Sequence, residues 1–241
     1  MVIIRVMEKS MDKSYKNRIY NRITYICICL LLLVTMAMPM LSLDLTIGAN
    51  TKDVCNSVTP VMVMRVGLSD KAKVDEMYVA HTAKVREFVR VQQEAGKTTE
   101  EIEKMLLTNK DNNMAYLINM YRTEAAPVKN FSIVLLFTYI FVGILLAMLC
   151  IACFIDKPGL DIANIIVTFI MAILAIVSLT FSLVLKSGEL QVYTGNGELG
   201  TYVFALAAVA LAVVEVVQFF IGRRDRKVKE SDIIKPFVEE K

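Results

Sequence analysis

The chain has 241 residues, of which 56% are hydrophobic, 21% are charged and none is tryptophan. So apolar a composition excludes an ordinary water-soluble domain and favours a protein that lies largely in a membrane. The net charge of +3 is small, and the basic residues at the two chain ends lie beside apolar segments, where charge near a membrane is expected. Nucleic-acid binding is therefore not predicted.

The first 43 residues combine a basic arm with an apolar segment. Residues 1–22 carry six Lys or Arg against two Asp or Glu, and residues 23–43 carry no charge over 21 positions. A helix needs about 20 apolar residues to cross the hydrocarbon core of a bilayer. A cleaved signal peptide is the alternative, but its apolar region is typically shorter, and no clean small-x-small motif precedes Asp44. We therefore expect a retained first transmembrane helix at 23–43.

Residues 44–129 form a long insert without an apolar run of membrane length. Its 12 basic residues balance 12 acidic ones. Within it, residues 59–66 are rich in β-branched side chains yet open close to a proline. This combination predicts an edge strand or an extended connector.

The remainder of the insert has helical periodicity. A first amphipathic helix is predicted to begin after Ser69 and to end at Gly96. Thr98 and Glu101 have the spacing of a capping box, which begins a second helix, and a third is predicted over residues 112–122. About 85 residues bury only a modest core, so we expect this cap to lean on the membrane, on itself or on a partner chain. The side chains that form the stripe of the first helix are Val74, Tyr78, His81, Val85, Phe88 and Gln92.

Two long apolar segments joined by a tight turn give the clearest signal in the chain. Residues 131–155 and 162–185 are uncharged over 25 and 24 positions, and each can cross a bilayer as a helix. The six residues between them, 156–161, allow only an antiparallel turn. A glycine-rich loop follows at 186–200, and then a fourth apolar segment at 201–221. Because Lys and Arg beside a span resist translocation, the basic chain ends predict that both termini are cytoplasmic.

These segments predict an all-α membrane protein with four transmembrane helices and a small, mainly helical extracytoplasmic cap between spans 1 and 2. The expected location is a plasma membrane or a bacterial inner membrane, with the lipid bilayer as the first partner. The predicted boundaries are a cytoplasmic N-terminal arm at 1–22, transmembrane helix 1 at 23–43, the cap at 44–129, transmembrane helix 2 at 130–155, a cytoplasmic turn at 156–161, transmembrane helix 3 at 162–185, an outer loop at 186–200, transmembrane helix 4 at 201–221 and a basic cytoplasmic tail at 222–241.

Glu215 is the most unusual residue, because it is a carboxylate inside an apolar segment. It lies six residues before Ile221, about 9 Å from that end of its helix. A charge at mid-span costs about 2.5–3.5 kcal/mol on insertion scales, so Glu215 should face protein or water. Asn164, Thr168 and Gln218 are predicted to form an intramembrane polar cluster with it. Ion or proton coupling is the functional interpretation, and a protonated or paired structural carboxylate is the alternative.

The five cysteines provide two hypotheses. Cys150 and Cys153 share a helix face at i and i+3, a candidate thiol pair for redox chemistry or half a metal site, with apolar filling or lipidation as alternatives. The four-helix topology is similar to that of membrane thiol oxidoreductases, whose reactive pair faces the outer compartment, whereas this pair is predicted on the cytoplasmic side. Cys55 is alone in the insert, so the cap must fold without an internal disulfide, and its thiol is a candidate for an intermolecular contact.

His81 is the single histidine of the chain. It lies on the amphipathic stripe without a second ligand at metal spacing, which favours packing or a lone pH-sensitive contact over metal binding. No metal site, cofactor or catalytic residue is predicted.

The leading functional prediction is a non-enzymatic multi-pass membrane protein. Its cap would bind a partner or ligand, and its four-helix bundle would anchor the cap or relay its state. We expect this to occur within a homo-oligomer, or a hetero-oligomer with another membrane or extracytoplasmic protein. The alternative is a channel or transporter subunit with an ion or proton pathway that involves Glu215 and Asn164.

Overall fold

The computed structural model describes residues 22–47, 49–154, 158–187 and 191–238. These residues are mostly helical, as predicted, and they also form a short four-stranded sheet that the all-α prediction did not include. The helices are α1 Arg22–Ala37, α2 Pro60–Gly67, α3 Lys71–Glu94, α4 Thr99–Thr108, α5 Lys110–Thr123, α6 Ala125–Phe154, α7 Pro158–Val184 and α8 Leu199–Val238. The strands are β1 Leu41–Ile47, β2 Asn50–Val58, β3 Lys186–Ser187 and β4 Gln191–Gly197.

Three of these helices are long and apolar enough to cross a membrane: α6, α7 and the first part of α8, Leu199–Val217. The backbone of α8 then continues as helix to Val238, through the predicted boundary between the fourth span and the basic tail. Three such helices indicate an integral membrane protein.

The first apolar segment forms a shorter helix than its sequence predicts. Within the described residues α1 covers 16 positions, about 24 Å, and ends at Ala37 rather than at Leu43. Pro39 explains the early end, because a residue that precedes proline avoids helical backbone angles. Met38 accordingly has φ −82° and ψ 149°, and the chain enters β1 three residues later.

α1 runs antiparallel to α6 along the bundle. Arg22 of α1 contacts the carbonyl of Ala152, and Thr35 contacts Tyr139, so thirteen residues separate the two contacts on each helix. We call the end of the bundle at Arg22 and Ala152 the tail end. The opposite end, at which the sheet and helices α2 to α5 lie, is the cap end.

The sheet joins two regions of the chain that lie far apart in sequence. Its strand order is β2-β1-β4-β3, and every neighbouring pair is antiparallel. The predicted outer loop at 186–200 therefore contains β3 and β4, and β4 pairs with β1 from Leu41 opposite Gly197 to Ile47 opposite Gln191. In β1 the buried residues Leu41 and Leu43 alternate with partly exposed residues. This period of two is expected of a strand with one buried face.

The prediction of an edge strand or connector at residues 59–66 is also wrong. These residues form α2, with Pro60 in its first turn and the Thr59 hydroxyl accepting a hydrogen bond from the Met62 amide at 3.3 Å. Proline suits the first turn of a helix, where its missing N–H would have no partner. The α3 helix is present as predicted, although its N-cap is Asp70 rather than Ser69.

The capping box and the third helix of the insert are confirmed. Thr98 and Glu101 bond each other's backbone N–H groups at the start of α4. α5 begins after Asn109, whose side chain accepts from the amides of Asp111 and Asn112. Asn112 is buried and donates to the carbonyl of Val54 in β2 at 3.0 Å, so α5 is tied directly to the sheet.

The cap packs closely on the cap end of the bundle. A Cβ atom added at Gly67 of α2 would lie 2.3 Å from the Ser132 hydroxyl oxygen of α6 and 2.8 Å from the Val128 carbonyl oxygen. At Gly200 an added Cβ would lie 2.3 Å from the Pro39 carbonyl oxygen. Both glycines are therefore required by close backbone approach, and one buried apolar core continues from the cap into the bundle.

Candidate functional site

The tail end of the bundle contains a buried layer of polar side chains around Glu215 of α8. Only 6% of Glu215 is exposed. Its Oε2 lies 2.9 Å from the hydroxyl oxygen of Thr168 on α7, which is fully buried. The structure thus brings together two of the residues that the sequence analysis assigned to one cluster.

Asn164 lies one turn before Thr168 on the same face of α7. The hydroxyl oxygen of Thr168 lies 2.8 Å from the backbone oxygen of Asn164. Asn164 is itself buried, with 5% of the residue exposed. Within the part of the chain that the structure describes, the side-chain oxygen of Asn164 has no hydrogen-bond partner. The fourth predicted member, Gln218, has its backbone in α8, and its side chain lies outside the described residues.

Helix α1 contributes side chains that the sequence analysis did not assign to this layer. Tyr25 and Cys29 are buried and lie close enough to Glu215 to interact electrostatically with its carboxylate. The Tyr25 hydroxyl has no hydrogen-bond partner among the described residues. A signal for their position existed in the sequence, because Arg22, Tyr25 and Cys29 recur at helical spacing in an otherwise apolar segment.

An ion pair lies between the Glu215 layer and the tail end. Arg22, which the sequence analysis placed in a solvated basic arm, is only 8% exposed. Its guanidinium donates to the Ala152 carbonyl near the end of α6 and to the Asp161 carboxylate at 3.2 Å. Asp161 begins the same face of α7 that carries Asn164 and Thr168, about 10 Å from Thr168 along the helix. A guanidinium beside the last carbonyls of a helix also interacts favourably with the helix dipole.

A second polar layer lies at mid-bundle and differs in being uncharged. The Thr35 hydroxyl lies 3.1 Å from the Tyr139 hydroxyl, and the Thr138 hydroxyl lies 3.3 Å from the Ser178 hydroxyl. Thr138 and Ser178 each donate their single hydroxyl hydrogen to a carbonyl of their own helix, so the longer contact between their hydroxyls is a packing contact. Thr35 and Tyr139 bond each other, as polar side chains commonly do between close-packed membrane helices.

Apolar side chains separate the two layers along α7. Met171 and Ala175 occupy the buried face between Thr168 and Ser178, a distance of about 15 Å. The tail-end layer is therefore closed by apolar packing on one side and by the Arg22–Asp161 pair on the other.

The predicted thiol sites have different environments. Cys150 is exposed on α6 and Cys153 is half-buried, and neither forms a disulfide in the structure. Cys55, the candidate for an intermolecular contact, is 0% exposed within β2 in the single chain. Burial also raises the pKa of the Cys55 thiol to about 12, which suppresses the reactive thiolate.

His81 has a partner that its position in sequence did not reveal. Its Nδ1 lies 2.7 Å from the Asp111 carboxylate of α5, and Lys84 lies 3.6 Å from the same carboxylate. Elsewhere on the α3–α5 contact, Arg122 pairs with Asp75 at 3.1 Å. No group of three His, Cys, Asp or Glu side chains suited to a metal ion occurs among residues 22–47, 49–154, 158–187 and 191–238.

Comparisons of the chain with protein-family models, with curated proteins and with solved structures give no match. The chemistry available to the tail-end layer therefore follows from its own atoms. A buried carboxyl group, hydroxyl groups and an amide oxygen can hold a proton or a small cation, and a carboxylate is the group through which such a ligand would be gained or lost.

Proposed function

We propose that this is a non-enzymatic, multi-pass membrane protein whose cap faces the extracytoplasmic side and binds a protein partner there. In this proposal α1 is a fourth span, both termini are cytoplasmic and the bundle anchors the cap. The arrangement of the bundle supports this topology, because its four helices alternate in direction and all reach both the cap end and the tail end. These helices are α1, α6, α7 and α8.

The observation that carries this proposal is the exposure of α3. Only Val74 and Met77 of its 24 residues are fully buried. Beyond them, Val79 is 68% exposed, and Val85 and Phe88 are only half-buried. Apolar side chains on a projecting helix, among charged residues of both signs, are a composition that suits contact with another protein.

The close packing of the cap supports a relay of the bound state. Gly67 contacts α6, and the β1–β4 pairing links the segment after α1 with the segment before α8. A partner that displaces α3 or α2 would therefore act on the bundle through contacts that have little room to adjust.

Photocrosslinking from α3 tests the proposal. A photoreactive residue at Val79 should capture one defined protein in intact membranes, and the same residue at Asn50, exposed at the start of β2, should not. Capture of a second copy of this chain would identify the partner as itself. A strictly monomeric protein that yields no adduct from Val79, or equal adducts from both positions, would contradict partner binding by α3.

A second candidate function is favoured by the buried face of α7, which carries polar side chains at both ends. Asp161, Asn164 and Thr168 lie toward the tail end, and Ser178 and Ser182 toward the cap end. This pattern suits a channel or transporter subunit in which the Met171–Ala175 stretch is a closed section of an ion or proton pathway.

Vesicles that contain the purified protein should then show ion or proton flux that Glu215→Gln abolishes. Wild-type vesicles without flux would reject transport and leave partner binding untouched.

A further inference from the structure

Thr168 lies between two oxygen atoms, and this arrangement constrains where the hydrogen atoms are. Its hydroxyl oxygen is 2.9 Å from Glu215 Oε2 and 2.8 Å from the backbone oxygen of Asn164. Both are hydrogen-bond distances for oxygen pairs. Two oxygen atoms at such a separation repel each other through their lone pairs unless a hydrogen atom lies between them.

The number of hydrogens needed exceeds the number that Thr168 carries. A threonine hydroxyl has one hydrogen and two lone pairs, and a backbone carbonyl has none. Two short oxygen contacts require two hydrogens, so the second must come from the carboxyl group. We propose that Glu215 is a carboxylic acid that donates its proton to the Thr168 hydroxyl oxygen, while Thr168 donates to the Asn164 carbonyl. The layer is then a binding site whose ligand is an exchangeable proton.

The burial of Glu215 agrees with this assignment, because only 6% of the residue is exposed and an ionised carboxylate in an apolar bundle loses its hydration. The 2.9 Å contact with Thr168 lies within the hydrogen-bond range for two oxygen atoms.

The groups that face Glu215 determine how readily the proton leaves. From α7, the Asp161 carboxylate disfavours a second negative charge nearby, and from α1 the neighbours are Tyr25 and Cys29. Cys150 of α6 faces Cys29 in turn. The charge of Arg22 is offset by Asp161, with which it pairs at 3.2 Å.

The direction of exchange follows from what closes the site. Toward the cap end, Met171 and Ala175 offer no polar atom in their side chains, whereas toward the tail end the Arg22–Asp161 pair can separate and admit water. The proton therefore exchanges with the tail side. The proton site is independent of partner binding by the cap. If the proton exchanges with the tail side but does not cross the bundle, the transport function is rejected and the proton site is retained.

Infrared spectroscopy of the full-length protein in lipid vesicles tests the proposal. At neutral pH the wild type should show the carbonyl stretch of a protonated carboxyl group, and mildly alkaline buffer should remove it reversibly. Glu215→Gln should abolish this band. Thr168→Val should move the band to higher frequency, because the carboxyl proton loses its acceptor.

Two matched variants control for general effects of substitution. Thr180→Val removes another hydroxyl of α7, one that bonds only the Ile176 carbonyl of the same helix among the described contacts. Glu198→Gln neutralises a carboxylate at the cap end, far from Glu215. Both should leave the band unchanged. A wild type without the band, a band that survives Glu215→Gln, or a band that Thr168→Val does not move would each overturn the proposal. If Glu215→Gln gives too little protein for spectroscopy, the wild-type pH titration and Thr168→Val still decide.

Discussion

The two ends of the bundle are held together by different kinds of contact. At the cap end the contacts involve the backbone: β1 pairs with β4, and Gly67 and Gly200 approach neighbouring chain closely. At the tail end the helices are joined by ionisable side chains, through the Arg22–Asp161 pair and the Glu215–Thr168 contact. Backbone pairing does not depend on the protonation of side chains, whereas the tail-end contacts do. The comparison therefore predicts that the β1–β4 pairing responds less to pH than the tail-end contacts do.

The largest effect is expected at Gly67. In Gly67→Ala the new methyl group would lie 2.3 Å from the Ser132 hydroxyl oxygen, so α2 must move away from α6. We expect a loss of about 2–3 kcal/mol in the free energy of unfolding, measured by circular dichroism in detergent micelles. Gly143→Ala is the matched control, because nothing lies within 4 Å of the added atom and alanine favours helix by up to about 1 kcal/mol. Equal stability of the two variants would show that the cap does not dock as described.

A double-mutant cycle at the tail end should give the next largest effect. Arg22→Met and Asp161→Asn should each lower the free energy of unfolding by about 1–2 kcal/mol, because each leaves a charged partner in a partly buried site. The expected loss is modest because 31% of the Asp161 side chain is exposed to solvent, which screens the charge. The double variant should lose less than the sum of the two. Strict additivity would mean that the pair does not couple α1 to α7.

Thiol labelling distinguishes the closed sheet from the exposed surface of the bundle. A membrane-permeant maleimide should label exposed Cys150 in the native protein and leave Cys55 unmodified until the protein is unfolded. Because the pKa of Cys55 is raised to about 12, its thiolate should stay scarce as the pH rises from neutral to mildly alkaline. Peptide mass spectrometry identifies the labelled residue. Native labelling of Cys55 at the rate of Cys150 would contradict a closed sheet.

The smallest effect on stability is expected for Glu215→Gln. A glutamine amide can donate to the Thr168 hydroxyl oxygen as the proposed carboxylic acid does, so the change should stay within about 0.5 kcal/mol at neutral pH. The same denaturation experiment measures it. A loss well above about 1.5 kcal/mol would indicate that an ionised Glu215 stabilises the bundle, which is the opposite of the proposed state.

Much of the helical structure could be predicted, because local patterns determine it. The long apolar segments, the α3 stripe and the Thr98–Glu101 capping box are all read over short stretches of chain. The meeting of Thr168 with Glu215 followed from their matching depth on antiparallel helices. In each case one periodicity or one residue spacing is sufficient to predict the feature.

The features that were missed depend on contacts between distant residues. β1 pairs with β4, which lies about 150 residues later in the chain, and Arg22 pairs with Asp161 across 139 residues. No local pattern identifies either partner. α2 is a different case, because Thr59 and Pro60 form a helix start that the β-branched content of the following residues obscured.

Hydrogen–deuterium exchange of the protein in lipid nanodiscs, compared between mildly acidic and mildly alkaline buffer, tests the difference between the two ends most directly. After correction for the intrinsic pH dependence of exchange, we predict faster exchange at alkaline pH in the first turns of α7 and around Glu215 in α8, with a smaller change in β1 and β4. Glu215→Gln should remove the tail-end change. A pH response that is uniform along the bundle, or that persists in Glu215→Gln, would contradict this account.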